Sequence, residues 1–174
     1  PPPSRFEPPV QAAPGVVAPV PVTPPPPAQG FEGVLRRVLG DVGDVLEGRG
    51  LKVQLRIGPG VEPPRCPPHD LHHALSRLLE GLAAVSPPRA ALAVRCERKP
   101  VLLRCPGGES RQDFLLVAVG HQGVIPPEDQ QRIVQGEAQG ALGEAARLCR
   151  EMGGFVRFAP LAEGGLETRF FLPI

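Results

Sequence analysis

One run of the sequence, DFLLVAVG at residues 113–120, is almost entirely apolar. Its length is far below the roughly 20 residues that a membrane-spanning helix requires. Turn-forming residues bound it, with Pro106, Gly107 and Gly108 upstream and Gly120 at its end. Unbroken apolar character over such a length indicates a central β-strand that is covered on both faces. The fold must therefore contain a sheet with this strand in its interior.

The segments around this strand alternate between helical and strand periodicity. Helical spacing of the apolar residues predicts helices at residues 31–47, 69–85, 126–134 and 143–152. Alternating or continuous apolar patterns predict strands at residues 51–57, 90–98, 101–105, 113–120, 155–161 and 166–174. This order predicts an α/β fold: a two-layer α/β sandwich with a mixed, mostly antiparallel sheet and helices on one face.

Prolines are concentrated at the start of the chain, with 12 of the 25 in residues 1–30. Because proline lacks an amide donor and fixes φ, this segment is not expected to form a helix or an interior strand. We expect a disordered, proline-rich linker with polyproline II character at 1–30, and one domain at 31–174. A docking ligand for an aromatic groove is the alternative role, and apolar patches such as residues 15–17 are suited to docking on the domain itself.

The charge balance and the cysteines exclude several functional classes. A net charge of +1, with no Trp or Tyr for base stacking, argues against nucleic-acid binding, and no apolar run is long enough for membrane insertion. The four cysteines form no CxxC pair, so no metal site is predicted. We expect reduced thiols in a cytoplasmic protein. The alternative is a disulfide between Cys96 and Cys105, if these two face each other across a hairpin.

Four segments in the second half follow one another in a characteristic order: LHHALSRLLEGLAAVSPP, FLLVAVGHQGVIPPED, QGALGEAARLCREMGG and LETRFFLPI. This series resembles the ATP-binding domain of sensor histidine kinases, the Bergerat fold shared with gyrase and MutL. The resemblance covers residues 31–174. It implies a histidine-kinase-like ATPase domain, in which three motifs hold magnesium, adenine and phosphate.

The first motif of that family lies on the helix at 69–85, where an approximate NLLxNA box supplies the magnesium ligand. Aligning Leu78 and Leu79 with its leucine pair places Arg77 at the first Asn and Gly81 at the second. Glycine has no oxygen to offer a hard cation, and arginine adds a positive charge where the metal would sit. His72 and His73 on the same helix are adjacent in sequence, so they do not converge on one metal ion.

The other two motifs have lost residues as well. His121 stands where the family has the Asp that binds the adenine amino group, while Gly123 is retained. In the glycine-rich turn that contacts phosphate, Gly140 and Leu142 remain, and Glu144 is expected in the first turn of the next helix, where it would repel a triphosphate. The segment that forms a mobile lid over ATP in the family is short here.

The sequence therefore predicts a vestigial nucleotide pocket without catalytic or metal-binding residues, with Arg77 and His121 both on its border. Its predicted residues are Arg77, Gly81, His121, Gly123, Gly140 and Leu142. The leading hypothesis is a non-catalytic scaffold or adaptor in bacterial signal transduction that uses no cofactor. Its expected partner is a protein, such as a response-regulator receiver domain or a kinase. The alternatives are a divergent kinase domain that still binds ATP and magnesium, and a support domain for a histidine phosphotransfer protein.

Overall fold

The computed structural model describes residues 30–174, so the predicted linker lies outside the described residues except for Gly30. The helices are α1 (Phe31–Asp41), α2 (Gly43–Gly48), α3 (Pro68–Val85), α4 (Pro127–Gln135) and α5 (Gly140–Glu151). The strands are β1 (Lys52–Ile57), β2 (Ala91–Cys105), β3 (Gly108–His121), β4 (Phe155–Pro160) and β5 (Leu166–Pro173). None of these helices has the length and apolar character that crossing a bilayer requires.

The five strands form one sheet in the order β1-β2-β3-β5-β4. β1 runs parallel to β2, and every other neighbouring pair is antiparallel. The main core lies between one face of this sheet and the helices, with α3 packed against both α1 and α5. The predicted two-layer sandwich with a mixed, mostly antiparallel sheet is confirmed.

The strand β3 is central, and both of its faces are buried from Phe114 to His121. Leu115, Val117 and Val119 point into the main core beneath the helices. The alternate residues Phe114 and Leu116 belong to a second, smaller cluster on the opposite face, together with Ala118 and Phe171. This two-sided burial explains why the sequence here is apolar without alternation. We refer to the face away from the helices as the outer face.

The structure divides two parts of the chain differently from the prediction, and β3 begins at Gly108, five residues before the strand expected at 113–120. The single helix expected at 31–47 is broken at Val42, which has φ −91° and ψ 0°, between α1 and α2. The strands expected at 90–98 and 101–105 are one continuous strand, β2, that passes through Pro100. β1 pairs with β2 only as far as Cys96, so Pro100 lies where β2 is an edge strand and its missing amide costs no ladder hydrogen bond.

The alternative disulfide is wrong, because Cys96 and Cys105 do not face each other across a hairpin. Both lie on β2, where Cys96 is paired with Val117 and Cys105 with Gly108. Nine residues of extended chain separate them by about 30 Å, whereas a disulfide needs Cα atoms within about 7 Å. All four thiols are free.

Candidate functional site

The position predicted to have lost the magnesium ligand lies where α3 meets α5. α3 begins at Pro68, has Asp70 in its first turn and buries a leucine stripe against the sheet. Gly81 lies on the side of α3 that contacts α5. A Cβ atom at Gly81 would lie 2.6 Å from the Leu142 Cγ and 2.8 Å from the Leu142 backbone nitrogen. A longer side chain, such as the Asn of the resembling motif, would therefore require α5 to move away.

Two further glycines are required by close packing. A Cβ at Gly123 would lie 2.7 Å from the Val85 carbonyl oxygen at the end of α3, and one at Gly143 would lie 2.0 Å from the Ala138 carbonyl oxygen. Gly140, in contrast, has open space around it but a φ of +82°, which favours glycine. Packing explains the glycines at 81, 123 and 143, and backbone conformation explains Gly140.

Charged side chains join α3 to α5 beside this contact. The Arg77 guanidinium donates from Nε to Glu144 Oε2 at 2.6 Å and from an Nη atom to Glu80 Oε2 at 2.7 Å. His73 Nε2 lies 3.3 Å from the other Glu144 oxygen. Hydrogen bonding with Arg77 lowers the pKa of the Glu144 carboxyl, and bonds to Glu80 and then Glu144 raise the pKa of Arg77. The arginine at the predicted metal position thus already has two carboxylate partners.

The expectation that Glu144 lies in the first turn of its helix is wrong. α5 begins at Gly140, earlier than expected, so Glu144 falls in the second turn and its carboxylate reaches across to α3. The first turn of α5 contains no acidic residue. Glu144 therefore acts as an interhelical partner of Arg77.

His121 ends β3 and is buried, with only 1% of its surface exposed. Its Nε2 lies 3.1 Å from the Thr168 hydroxyl on β5, and its Nδ1 has no partner within the described residues. Burial lowers the pKa of the imidazole to about 4, so the ring is neutral at physiological pH. Where the resembling family holds an ionised carboxylate, this chain holds an uncharged ring that is committed to a threonine.

The segment that corresponds to the lid consists of α4 and a four-residue link. Several hydrogen bonds fix its two ends. Gln130 Nε2 donates to the Ile125 carbonyl oxygen at 2.7 Å at the start of α4. At its end, Gly136 adopts the left-handed conformation with φ +77°, and the Arg150 guanidinium donates to the Gln135 carbonyl oxygen. The amides of residues 137 and 138 both donate to the Arg132 carbonyl oxygen. The Arg150 bond joins α5 to α4, and the other bonds close the two ends of α4.

A hollow of about 490 Å³ remains between the end of α3, α4 and the start of α5. Its lining is mainly aliphatic, and Asp129 and Arg132 are its charged residues. Its lining includes Val85, Ile125, Ile133, Leu142, Asp129 and Arg132. Nowhere within residues 30–174 do three His, Cys, Asp or Glu side chains come together in a group able to hold a metal ion.

The structure brings only some of the predicted site residues together. Gly81 and Leu142 are in contact, and Gly123 packs on the end of α3 beside Val85. Arg77 and Gly140 line a separate hollow of about 360 Å³. His121 lines a different hollow that also involves the outer face. Arg77 and His121 thus line two different hollows, and neither of these two hollows is bordered by both residues.

Sequence reasoning missed two residues that determine the local structure. Thr168, the partner of His121, lies in the LETRFFLPI segment, which the sequence indicated as a strand and as part of the resemblance, without a contact for Thr168. Its signal was a single polar residue between apolar ones on the core-facing side of β5. Val85, whose carbonyl oxygen approaches Gly123, had no signal, because a backbone contact across 38 residues leaves no mark in the local pattern.

The comparisons with known proteins identify the fold. No protein-family model and no curated protein matches the sequence. Among solved structures, the catalytic domain of the histidine kinase ThkA matches with a TM-score of 0.63 at 15% identity, over 83% of this chain and 93% of that one. The mycobacterial sensor histidine kinase MprB matches with a TM-score of 0.62 at 18% identity, over 83% and 95%.

A third similar structure is the Acinetobacter baumannii histidine kinase AdeS, with a TM-score of 0.59 at 16% identity. This match covers 83% of the present chain and 65% of the AdeS chain, so the chain spans less than two thirds of that relative. At such identities the likeness concerns the backbone, and the side chains described above decide what the site can do.

Proposed function

Starting from the histidine-kinase-like ATPase fold of this chain, we propose that it is a non-catalytic domain that does not bind nucleotide. In this proposal it serves as a protein-binding scaffold or adaptor in bacterial signal transduction. Its partner is a protein such as a response-regulator receiver domain or a kinase.

The contact between Gly81 and Leu142 is the observation that carries the proposal. A Cβ at position 81 would lie 2.6 Å from the leucine side chain, and 2.8 Å from backbone that has little freedom to move. A magnesium ion requires oxygen ligands at about 2.0–2.1 Å. Glycine supplies none, and the adjoining space is filled by an aliphatic side chain. The residues present therefore do not fit magnesium–ATP at this position.

The charges around the contact support the same conclusion. Arg77 is neutralised by Glu80 and Glu144, and breaking these bonds to bind a triphosphate would expose two carboxylates to the phosphates. His121 is neutral and bonded to Thr168, so it lacks the negative charge that favours the adenine amino group. Each change weakens a different part of a nucleotide site.

The test is a titration of the chain with ATP and magnesium by calorimetry, together with a thermal-shift scan. We expect no saturable heat and no rise in Tm at millimolar ATP. Full-length ShkA, a similar structure that was determined in complex with AMPPNP, is the positive control under identical conditions. A ligand at ten times its Kd stabilises the folded state by about 1.4 kcal/mol, which a thermal shift detects easily.

A rise in Tm that disappears with EDTA would contradict the proposal and establish the alternative, a divergent domain that retains nucleotide binding. A support role in histidine phosphotransfer would be revealed by a phosphohistidine on the full-length gene product after incubation with a phosphorylated receiver domain. A scaffold is expected to show neither result.

A further inference from the structure

A row of arginines crosses the outer face of the sheet. Residues that are paired across neighbouring strands point to the same face of a sheet. The register pairs one residue of each strand with the next across the whole sheet: Arg56 on β1, Arg95 on β2, Ala118 on β3, Arg169 on β5 and Arg157 on β4. Four guanidinium groups and one alanine therefore form a single line across all five strands, about 19 Å long at about 4.8 Å per strand. We call these five residues the arginine row.

Like charges that are directly opposite on a sheet destabilise it unless something compensates them. Part of the compensation is internal: Glu167 accepts from Arg95 at 3.3 Å and from Arg169 at 2.5 Å, and Glu97 pairs with Arg95 at 3.1 Å. Arg56 and Arg157, at the two ends of the row, form no ion pair within the described residues. Two carboxylates pair with the four guanidinium groups and Glu163 lines the adjoining hollow, so the row keeps a positive excess.

The surroundings of the row are shaped for contact with another chain. On one side, a neighbouring row holds Leu116 and Phe171, which are buried, and Phe155, which is half-buried. The Arg157 guanidinium lies 5.3 Å from the Phe155 ring centroid. On the other side, a hollow of about 720 Å³ has a floor that includes Ala93 and Gly120. The loop at 161–164 walls this hollow, which Arg56 and Arg95 also line. The apolar cluster on this face consists of strand residues, and α4 lies beside it at the β4 edge, where it shares a hollow with Phe155 and Arg157.

We propose that the outer face, centred on the arginine row, is the docking surface for an acidic, extended segment of a protein partner. This inference rests on the proposed scaffold function and names the chemistry of the partner. Carboxylates of the segment pair with Arg56 and Arg157, the two ends of the row. An apolar residue of the segment packs on the half-buried Phe155, and a small side chain enters the hollow.

Charge and composition favour a protein segment over nucleic acid. Glu97 and Glu167 are interleaved with the arginines and repel a uniformly charged phosphate backbone, whereas a peptide can place a neutral residue opposite each of them. The aromatic residues beside the row, Phe155 and Phe171, are stacked on one another at 4.5 Å and are not splayed to receive bases. An acidic peptide with interspersed apolar residues complements both the row and its apolar neighbour.

The experiment measures binding of a fluorescent 12-residue peptide of alternating Glu and Leu to the full chain by fluorescence polarisation. A peptide with Lys in place of Glu is the charge-reversed probe, and a single-stranded oligonucleotide of similar length is the nucleic-acid probe. We expect saturable binding of the acidic peptide that weakens as salt increases. The Lys peptide is expected not to bind, and the oligonucleotide to bind more weakly than the acidic peptide.

Paired variants locate the site. Arg56→Gln with Arg157→Gln removes the two unpaired ends of the row and is expected to weaken peptide binding about tenfold. The matched control, Arg65→Gln with Arg132→Gln, removes the same charge from exposed positions outside the row and is expected to change binding less than about twofold. Far-UV circular dichroism and Tm confirm that both double variants are folded.

Equal weakening by both double variants would overturn the proposal, since it would show a response to net charge alone. Tighter binding of the oligonucleotide, with the same dependence on Arg56 and Arg157, would assign the face to nucleic acid. Failure of the proposed function is distinguishable, because magnesium–ATP binding concerns the helix side. A chain that binds both ATP and the acidic peptide would lose its non-catalytic assignment and keep the docking surface.

Discussion

At the scale of single residues, His121 shows how a polar group can be tolerated in a core. Its Nε2 is bonded to Thr168, while its Nδ1 has no partner in the described part of the chain. The neutral ring loses one hydrogen bond in this arrangement, but a protonated ring would place an uncompensated charge among buried side chains. The burial that makes the ring useful for packing therefore makes the fold sensitive to acid.

We predict that His121 destabilises the chain as the pH falls. Its folded pKa of about 4 lies below the ordinary value of 6.5. Between these values the unfolded state binds more protons, so stability increases with pH and is lost as the pH falls from 6.5 towards 4. From pH 7 to pH 5 the loss amounts to about 2 kcal/mol, measured by urea unfolding. The variant His121→Gln should lack this pH-dependent loss in the free energy of unfolding.

The control is His69→Gln, since the His69 side chain is 87% exposed. The buried ring of His121 is intact in this variant, so the loss of stability that is assigned to His121 should remain. An identical pH dependence for His121→Gln and the parent would show that His121 does not titrate differently in the folded and unfolded states.

At the scale of elements, the packing of α3 on α5 depends on glycine. A helical glycine normally weakens a helix by about 1 kcal/mol relative to alanine, so Gly81 is retained at a cost in helix propensity. The short distance between Gly81 and Leu142 explains why glycine is kept, because the absence of a side chain at residue 81 lets α3 and α5 approach closely. The sequence identified Gly81 as a missing ligand, but only the packed structure shows what occupies the space.

We predict opposite effects for two alanine substitutions in helices. Gly81→Ala is expected to destabilise the chain by about 1–2 kcal/mol, since overpacking outweighs the gain in helix propensity. Gly40→Ala, in α1, is expected to be neutral or stabilising by up to about 1 kcal/mol, because no atom lies within 4 Å of its Cβ position. Urea unfolding of both variants measures the two effects. Equal stability of the two variants would contradict the close approach of α3 and α5.

At the scale of the whole molecule, the four cysteines lie at different depths in the fold. Cys96 and Cys149 are buried in the main core, and burial raises the pKa of each thiol to about 12. Cys66 is half-buried, and Cys105 is exposed near the tip of the β2–β3 hairpin. Thiolate is the reactive form, so burial suppresses both access and ionisation at the two core positions.

We predict that a thiol reagent such as DTNB modifies Cys105 rapidly and Cys96 and Cys149 only as the chain unfolds. Mass spectrometry of timed digests assigns the order. Addition of a reductant is expected to leave Tm unchanged, since no disulfide contributes to stability. Rapid labelling of Cys96 or Cys149 under native conditions would show that the core opens locally, without global unfolding.

The sequence by itself determined most of the elements and the fold class, because hydrophobic periodicity is local and survives without tertiary information. It also determined what the site lacks, since Gly81 and His121 cannot supply the oxygen ligands of the resembling family whatever surrounds them. It failed where neighbours decide the outcome. Pro100 lies within one long strand because β1 ends beside Cys96, and Glu144 pairs with Arg77 because α5 begins early.

Only the tertiary structure decided which neighbours lie beside Gly81 and His121 and which side chains line up across the sheet. Leu142 occupies the space beside Gly81, and Thr168 takes the hydrogen bond of His121, through contacts between residues distant in sequence. The arginine row is invisible in the sequence, where its members are scattered among five strands. Strand register alone brings them into line, and register is a property of the assembled sheet.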